Sequence, residues 1–139
     1  MSVADEARWA ARLSILYIMT VATEVLRTAP VDVLDLLLLF TIANMNAAGS
    51  PIRPGAIAPA PIGVSRNAVS RALNIPLETV RRRVAGLIER KALAEQAGGL
   101  IFLPDNPLGL GGNEKMEAFN LEKLRELFRG LKTLGVALD

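Results

Sequence analysis

The sequence predicts a mainly α-helical fold that carries one small β-hairpin. Hydrophobic residues make up 51% of the 139-residue chain but aromatic residues only 4%, which favours a core of Leu, Ile, Val and Ala and therefore helices. Apolar residues recur at helical spacing in several segments, and the pair Gly98-Gly99 separates two short strand-like runs. The length suits one core, so we expect residues 1–139 to form a single domain.

Two N-terminal helices are predicted in residues 1–48. Ser2 begins a helix-start pattern, with an acidic residue three positions later, and the first helix should run from about Val3 to Thr28. Its apolar residues spread over a wide arc, which indicates burial on more than one side. A proline then breaks the chain, and Asp32 is placed to cap a second helix that reaches about Ala48.

The apolar stretches of these two helices are too interrupted to be read as membrane spans. Arg12 and Glu24 bound or interrupt the first stretch, and Asp35 and Asn44 interrupt the second, whereas a span needs about 20 clean apolar residues. The chain begins with acidic residues rather than with the basic region of a secretory signal. We therefore expect a cytoplasmic protein that binds no membrane.

A Pro- and Gly-rich linker, residues 49–63, leads into a short helix, a tight turn and a longer basic helix. Pro61-Ile62 could form a very short strand at the end of this linker. Ser65 is a good N-cap for the short helix Arg66–Leu73, and Asn74 tolerates the left-handed conformation that ends helices. A proline at the next start suits a first turn, and the longer helix should reach about residue 91.

The longer helix is amphipathic, with a packed side and an exposed side. The packed side carries an apolar stripe that should face Val69 and Leu73, and it consists of Val80, Val84, Leu87 and Ile88. The opposite side carries Glu78, Arg82, Ala85 and Glu89, with Thr79 and Arg81 on the flanks. Arg83 flanks the packed side, so we expect it to have a structural role.

A hairpin and a last helix complete the chain. Two short runs within Leu93–Pro104 flank Gly98-Gly99, a pair suited to a primed hairpin turn. Asn113 is placed to cap an amphipathic helix in residues 113–139. Its apolar residues at helical spacing are Met116, Phe119, Leu124, Leu127, Phe128, Leu131 and Leu134.

Positive charge is concentrated in one part of the chain. The formal net charge is only +2, but residues 64–91 contain seven basic and two acidic residues, which leaves +5 in that segment and −3 in the rest. A positive patch on a nearly neutral protein indicates an anionic partner at one face.

The order of short helix, tight turn, basic helix and Gly-tipped hairpin, over residues 62–103, resembles the winged helix-turn-helix of bacterial transcription regulators of the MarR and GntR types. The residues that carry the resemblance are AVSRALNIPLETVRRRVAGLIERKAL and the hairpin. Ser70 takes the small-residue position between the helices, whereas Asn74 and Pro76 replace the more usual glycine and serine. Helices flank the module on both sides, as in the MarR arrangement. The resemblance thus implies terminal dimerisation helices and a β-hairpin wing.

The resemblance also implies that the longer helix enters the major groove of double-stranded DNA. Arg81 and Arg82 would pair with guanine or bind phosphate, Thr79 would touch a thymine methyl or a phosphate, and Glu78 would accept from cytosine. The start of the short helix would bind phosphate, and the hairpin tip would reach the backbone or the minor groove. The DNA-binding residues predicted in this way are Arg66, Asn67, Leu77, Glu78, Thr79, Arg81, Arg82, Gln96 and Gly98.

The predicted function is sequence-specific binding of double-stranded DNA by a homodimeric transcription regulator. A different class of function stays open, in which the basic face of a winged helix binds a protein partner. A small enzyme is disfavoured, because the chain has no His and no Cys and its glycines near residue 111 lack a dinucleotide-binding pattern. We expect no catalytic residue, no metal site and no cofactor.

A small-molecule effector is left open by the sequence. Aromatic and Met residues of the N-terminal helices could line a pocket, although such residues more often belong to a core. The residues in question are Trp9, Tyr17, Met19, Phe40 and Met45.

Overall fold

The computed structural model of the protein describes residues 1–48, 50, 53–55 and 60–139. Within these residues the chain forms five α-helices and one two-stranded antiparallel sheet, so the predicted mainly α fold with a small hairpin is confirmed. The elements in order are α1 (Val3–Thr28), α2 (Val33–Asn46), α3 (Arg66–Leu73), α4 (Leu77–Glu89), β1 (Leu93–Gln96), β2 (Gly99–Phe102) and α5 (Glu114–Thr133).

The chain divides into two compact units. The first unit joins Met1–Ala29 to Gly112–Asp139, and the second unit is Pro30–Gly111. The helix α2, which the sequence analysis grouped with α1, packs against α3, α4 and β2. The expectation of a single integrated domain stays a prediction.

The first unit is a pair of helices, α1 and α5, that pack against each other. Ser2 and Asp5 form the predicted capping box at the start of α1, and Asn113 caps α5 as predicted. Val25 is the buried residue of α1, and the Tyr17 hydroxyl donates a hydrogen bond to the side chain of Asn120. The expected burial of α1 on more than one side is not found, because α1 packs on one helix of its unit and leaves the rest of its apolar arc exposed.

The second unit holds a closely packed core. In α2 the side chains of Leu38, Leu39 and Ile42 are fully buried, because this helix is covered by α3, α4 and β2. The predicted stripe of α4 is confirmed, since Val80, Val84 and Leu87 are buried and face the core with Val69 of α3. Ile88 and Leu73 are half-buried at its edge.

The helix ends of this unit follow the predicted capping chemistry. Asp32 accepts a hydrogen bond from the backbone N–H of Asp35, and Ser65 accepts one from that of Ala68. Asn74 ends α3 with φ of 52°, the left-handed conformation expected of it. The helices α2 and α4 end two residues earlier than predicted, at Asn46 and Glu89.

The hairpin differs from the prediction in its turn. Gln96 pairs with Gly99, so the two turn residues are Ala97 and Gly98 rather than Gly98 and Gly99. Gly99 lies in β2 with φ of 120°, a conformation that a side chain disfavours. In this register Gly99 lies against Val64, and a Cβ there would lie 2.8 Å from the Val64 backbone, so position 99 requires glycine.

Val64 adds a third, one-residue strand to this sheet. Its N–H and C=O bond to the C=O and N–H of Leu100 at 3.1 and 2.8 Å. The extended residue that meets the sheet is therefore Val64 and not Pro61-Ile62. A Cβ on the preceding Gly63 would overlap the Gly98 carbonyl and lie 2.6 Å from the Gly99 nitrogen, so only glycine fits there.

The buried side chain of Asn46 ties the end of α2 to this sheet. Its amide nitrogen donates to the carbonyls of Ile62 (2.6 Å) and Leu100 (3.0 Å), and its oxygen accepts from the N–H of Phe102 (2.8 Å). This amide supplies the partner of the Ile62 carbonyl and of the Phe102 N–H, and it adds a second bond to the Leu100 carbonyl, which also accepts from Val64. Asn46 therefore fixes the sheet relative to the helix bundle.

Candidate nucleic-acid interface

The exposed side of α4 is the central feature of the basic region. Residues 78, 81, 82, 85 and 89 are exposed, and this spacing places them along one stripe of a helix. The core holds the opposite stripe, so the helix cannot rotate without exposing valine and leucine. The predicted orientation of α4 is thus confirmed, and Arg81, expected on the flank, lies within the exposed stripe.

Arg81 and Arg82 are the cations that this stripe presents. The Arg81 side chain is 59% exposed, and its Nη1 lies 3.6 Å from Oε2 of Glu78, which is itself 82% exposed. Within the part of the chain that the structure describes, Arg82 has no ion-pair partner. Because an exposed pair one turn apart is weak, both guanidinium groups remain available to an external anion.

Arg83, the third arginine of the run, belongs to the framework. It bonds to the Asp32 carboxylate and lies 3.4 Å from Oδ1 of Asp35. Arg90, one residue past the end of α4, lies 3.8 Å from the second Asp35 oxygen and donates to the Pro30 carbonyl. Two aspartates at the start of α2 therefore hold two arginines of α4, which agrees with the structural role expected of Arg83.

The pKa values of this cluster follow from its hydrogen bonds. The backbone N–H of Asp35 and then the Arg83 guanidinium hold the pKa of Asp32 below its ordinary value. The hydrogen bond to Asp32 raises the pKa of Arg83. Both groups are therefore charged at neutral pH, and the pair persists over the physiological range.

Arg66 has a partner inside the protein. Its Nη1 lies 2.6 Å from Oε1 of Glu95 and its Nη2 lies 3.2 Å from Oε2, which is a two-point pair between α3 and β1. The hydrogen bonds from Arg66 lower the pKa of Glu95, and the same bonds to Glu95 raise the pKa of Arg66. The phosphate role predicted for Arg66 therefore competes with an internal carboxylate.

The remaining predicted residues divide by their exposure. Asn67 at the start of α3 is exposed, as are Gln96 and Gly98 at the hairpin tip. Leu77 and Thr79 are half-buried at the edges of the α4 stripe, so they offer less surface to a partner. The structure thus brings Glu78, Arg81 and Arg82 onto one face, ties Arg66 to Glu95, and leaves two edge residues partly covered.

Glu95 is the residue of this region that the sequence analysis missed. It lies on the same short strand as Gln96 but contacts a residue 29 positions earlier, so no local pattern indicates the pair. In the sequence, Asp32 was placed as a helix cap and Asp35 as an interruption of an apolar stretch. Their spacing of three on a first helical turn was the one available signal that both could face the same cation.

Of the five residues considered for an effector pocket, Tyr17 lines a small groove of about 60 Å³ between α1 and α5. Trp9, Tyr17 and Met19 belong to the first unit and Phe40 and Met45 to the second. A groove of the second unit has a volume of about 440 Å³ and is lined by neither Phe40 nor Met45. It lies between Asn46 and Phe102.

Two further properties bear on function. By length and composition, the helix α1 could cross a membrane, and signal sequences and the core helices of soluble proteins meet the same test. Only 6% of its most apolar stretch is buried. Across the described ranges, no cluster of three or more potential metal-ligating side chains occurs.

Comparisons with known proteins returned no relative. No protein-family model, no curated protein and no solved structure matches this chain.

Proposed function

We propose that the second unit, Pro30–Gly111, is a winged helix-turn-helix of the kind found in MarR-like and GntR-like bacterial regulators. Three features support this proposal. The helix α2 leads to a short extended segment at Val64, then to α3, a tight turn and α4, and finally to a hairpin. The hairpin pairs with Val64, so the sheet joins the end of the module to its beginning. Asn74 gives the turn its left-handed residue.

We propose further that this module binds double-stranded DNA, with α4 in the major groove. The observation that carries the proposal is the exposed stripe of α4, which presents Arg81 and Arg82 opposite a fully buried valine stripe. The local charge of +5 in residues 64–91 of a chain whose total is +2 favours a polyanion over a neutral partner.

The roles within the stripe follow from exposure and pairing. Arg82, without an ion-pair partner among the described residues, is the base-reading candidate, and Arg81, beside Glu78, is the phosphate-binding candidate. Asn67 and the hairpin tip with Gln96 are placed to contact the backbone. Arg83 is excluded from the contact set, because its guanidinium is bound to α2.

The proposed regulator is a homodimer formed through the first unit. The helix α1 exposes Ile15, Leu16, Ile18 and Met19, which lie within one turn and a half of helix, and α5 exposes Leu121 and Phe128. Large apolar surfaces of this kind favour association, and a two-fold pair would place two DNA-binding modules on one duplex.

A cytoplasmic location is part of the same proposal. The stretch of α1 between Arg12 and Glu24 contains 11 uncharged residues. At the helical rise this uncharged stretch extends about 17 Å, so a span of the ~30 Å hydrocarbon core would have to include Arg12 or Glu24. A soluble helix that pairs with α5 and a second copy therefore accounts for its hydrophobicity better than a span does.

Duplex titrations of Arg82→Ala and Arg81→Ala test the proposal. A selected duplex is first recovered from a random library with the parent protein. Loss of Arg82 should remove about 1–3 kcal/mol of discrimination at one base pair of each half-site. Loss of Arg81 should weaken all duplexes alike and lower the salt slope by roughly one unit per protomer.

The controls separate the classes of function. Lys115→Ala, which removes an exposed cation of α5 away from the face of Leu121 and Phe128, should leave both DNA readouts close to those of the parent. Sedimentation over a range of micromolar concentrations checks the dimer independently. If the parent and both arginine variants bind selected and random duplexes equally weakly, the basic face has a protein partner instead.

A further inference from the structure

One of the arginines expected at the DNA is held by a carboxylate of the hairpin. Arg66 and Glu95 meet at two points, at 2.6 and 3.2 Å. The backbone explains the meeting, because Val64 pairs with Leu100 and Leu100 faces Glu95 across the hairpin. Arg66, two residues after Val64, is thereby brought to the strand that carries Glu95.

We propose that Glu95 competes with DNA phosphate for Arg66 and so lowers the affinity of the protein for every duplex. This inference rests on the proposed DNA-binding function and adds an internal limit to it. A guanidinium binds carboxylate and phosphate through the same fork of N–H groups, so Arg66 cannot give both of these N–H groups to the two anions at once. The negative charge of Glu95 also repels a phosphate that approaches the pair.

The exposure of the pair makes such an exchange feasible. The Arg66 side chain is 28% exposed and that of Glu95 is 53% exposed, so an external anion can reach both groups. Arg83 differs in its number of partners, because it bonds to Asp32, whose side chain is 55% exposed, and also contacts Asp35, whose side chain is 13% exposed and is shared with Arg90. Within the described residues Arg66 pairs with a single exposed carboxylate, which a phosphate can displace, whereas Arg83 keeps a second and largely enclosed carboxylate.

The state of charge supports the same conclusion. The hydrogen bonds of the pair lower the pKa of Glu95 and raise that of Arg66, so both are charged at neutral pH. Arg66 therefore contributes no net charge to the basic face while Glu95 holds it. Release of Arg66 adds one cation at the start of α3, beside the exposed Asn67.

Glu95→Gln is the decisive variant, because it removes the charge and keeps the shape and a hydrogen-bond acceptor. Titration with both the selected duplex and a random duplex should give binding that is roughly threefold tighter or more per protomer at moderate salt. The logarithmic salt slope should become steeper by about 0.9 for each released arginine. Thermal melting checks the fold, and Glu95→Thr, with a strand-favouring residue, gives the same readout if the glutamine weakens the hairpin.

The control backgrounds make the result specific. In an Arg66→Gln background the Glu95→Gln change should no longer tighten binding, and Asp105→Asn, which removes an exposed carboxylate outside the pair, should not tighten it in the parent. Three results overturn this inference and leave the proposed function standing. Glu95→Gln tightens binding equally with and without Arg66, or Asp105→Asn tightens it as much as Glu95→Gln does. The third result is that Glu95→Gln does not tighten binding although the parent binds DNA. A parent that binds no duplex overturns the proposed function together with it.

Discussion

The helices α4 and α1 use similar apolar residues in opposite ways. In α4 the apolar stripe is enclosed by the second unit, and Val80 and Val84 are 0% exposed. In α1 only Val25 is buried, and Ile18 is 57% exposed. The comparison teaches that the second unit completes its core within one chain, whereas the first unit leaves apolar surface for a partner. The unfolding free energy of the second unit should therefore be set within one chain, whereas that of the first unit should depend on association with a second copy.

The same substitution in the two units should give the largest contrast. Ile42 in α2 is 0% exposed. Ile42→Ala should lower the unfolding free energy by about 2–5 kcal/mol, because it removes buried apolar surface and leaves a cavity. Ile18→Ala in α1 should cost less than about 0.5 kcal/mol in the monomer, because the side chain is exposed there. Chemical denaturation of both variants gives the two values.

Protein concentration sharpens this contrast. If α1 packs against a second copy, Ile18→Ala should lower the melting temperature by an amount that depends on protein concentration. The decrease caused by Ile42→Ala should be the same at all concentrations. Equal losses of unfolding free energy for the two variants at all concentrations would show that the units do not differ in this way.

Polar burial should produce the next largest effect. Asn46→Ala leaves the Ile62 carbonyl and the Phe102 N–H without their side-chain partner, whereas the Leu100 carbonyl keeps its bond from the Val64 N–H. Each buried unpaired group costs about 1–3 kcal/mol. Asn44→Ala, at an exposed position of the same helix, is the matched control and should be nearly neutral. Denaturation midpoints of the two variants should differ clearly, and equal midpoints would contradict the role given to Asn46.

Acid should reveal a smaller effect at the start of α2. The folded pKa of Asp32 is depressed, so its contribution to stability is present above the ordinary value of about 3.9 and is lost as the pH falls through the lower folded value. Asp32→Asn keeps an N-cap but removes the charge. The stability difference between parent and variant should therefore shrink on acidification from about pH 5 to pH 2. A stability difference that stays constant between pH 5 and pH 2 would contradict the role given to Asp32.

The smallest effect concerns the two non-glycine residues that adopt the left-handed conformation among the described residues of the second unit. Lys91 has φ of 62° and Asn74 has φ of 52°. Glycine adopts this conformation without a Cβ penalty, so Lys91→Gly should raise the unfolding free energy by up to about 1 kcal/mol. Asn74→Gly should gain less, because asparagine already tolerates the conformation. A larger gain at position 74 than at position 91, measured by thermal melting, would contradict this order.

The helices and their caps could be predicted because their signals are local. The Ser65 side chain accepts a hydrogen bond from an N–H only three residues away, and asparagine is a residue type that tolerates the left-handed conformation seen at Asn74. The hairpin turn could not be placed, since its register depends on Val64, which is distant in sequence. The pairing of Arg66 with Glu95 depends on that same register. The sequence thus predicted which residues of α4 face outward and missed which arginine is held from within.

The contact between Gly63 and Gly98 sets a limit on how this sequence can diverge. Because a side chain at position 63 would overlap the turn of the hairpin, no single substitution there is tolerated without a change in the turn. A homologue with another residue at position 63 should therefore carry a longer or differently shaped hairpin, and the two sites should covary. Relatives too distant for sequence matching could be recognised by such coupled changes.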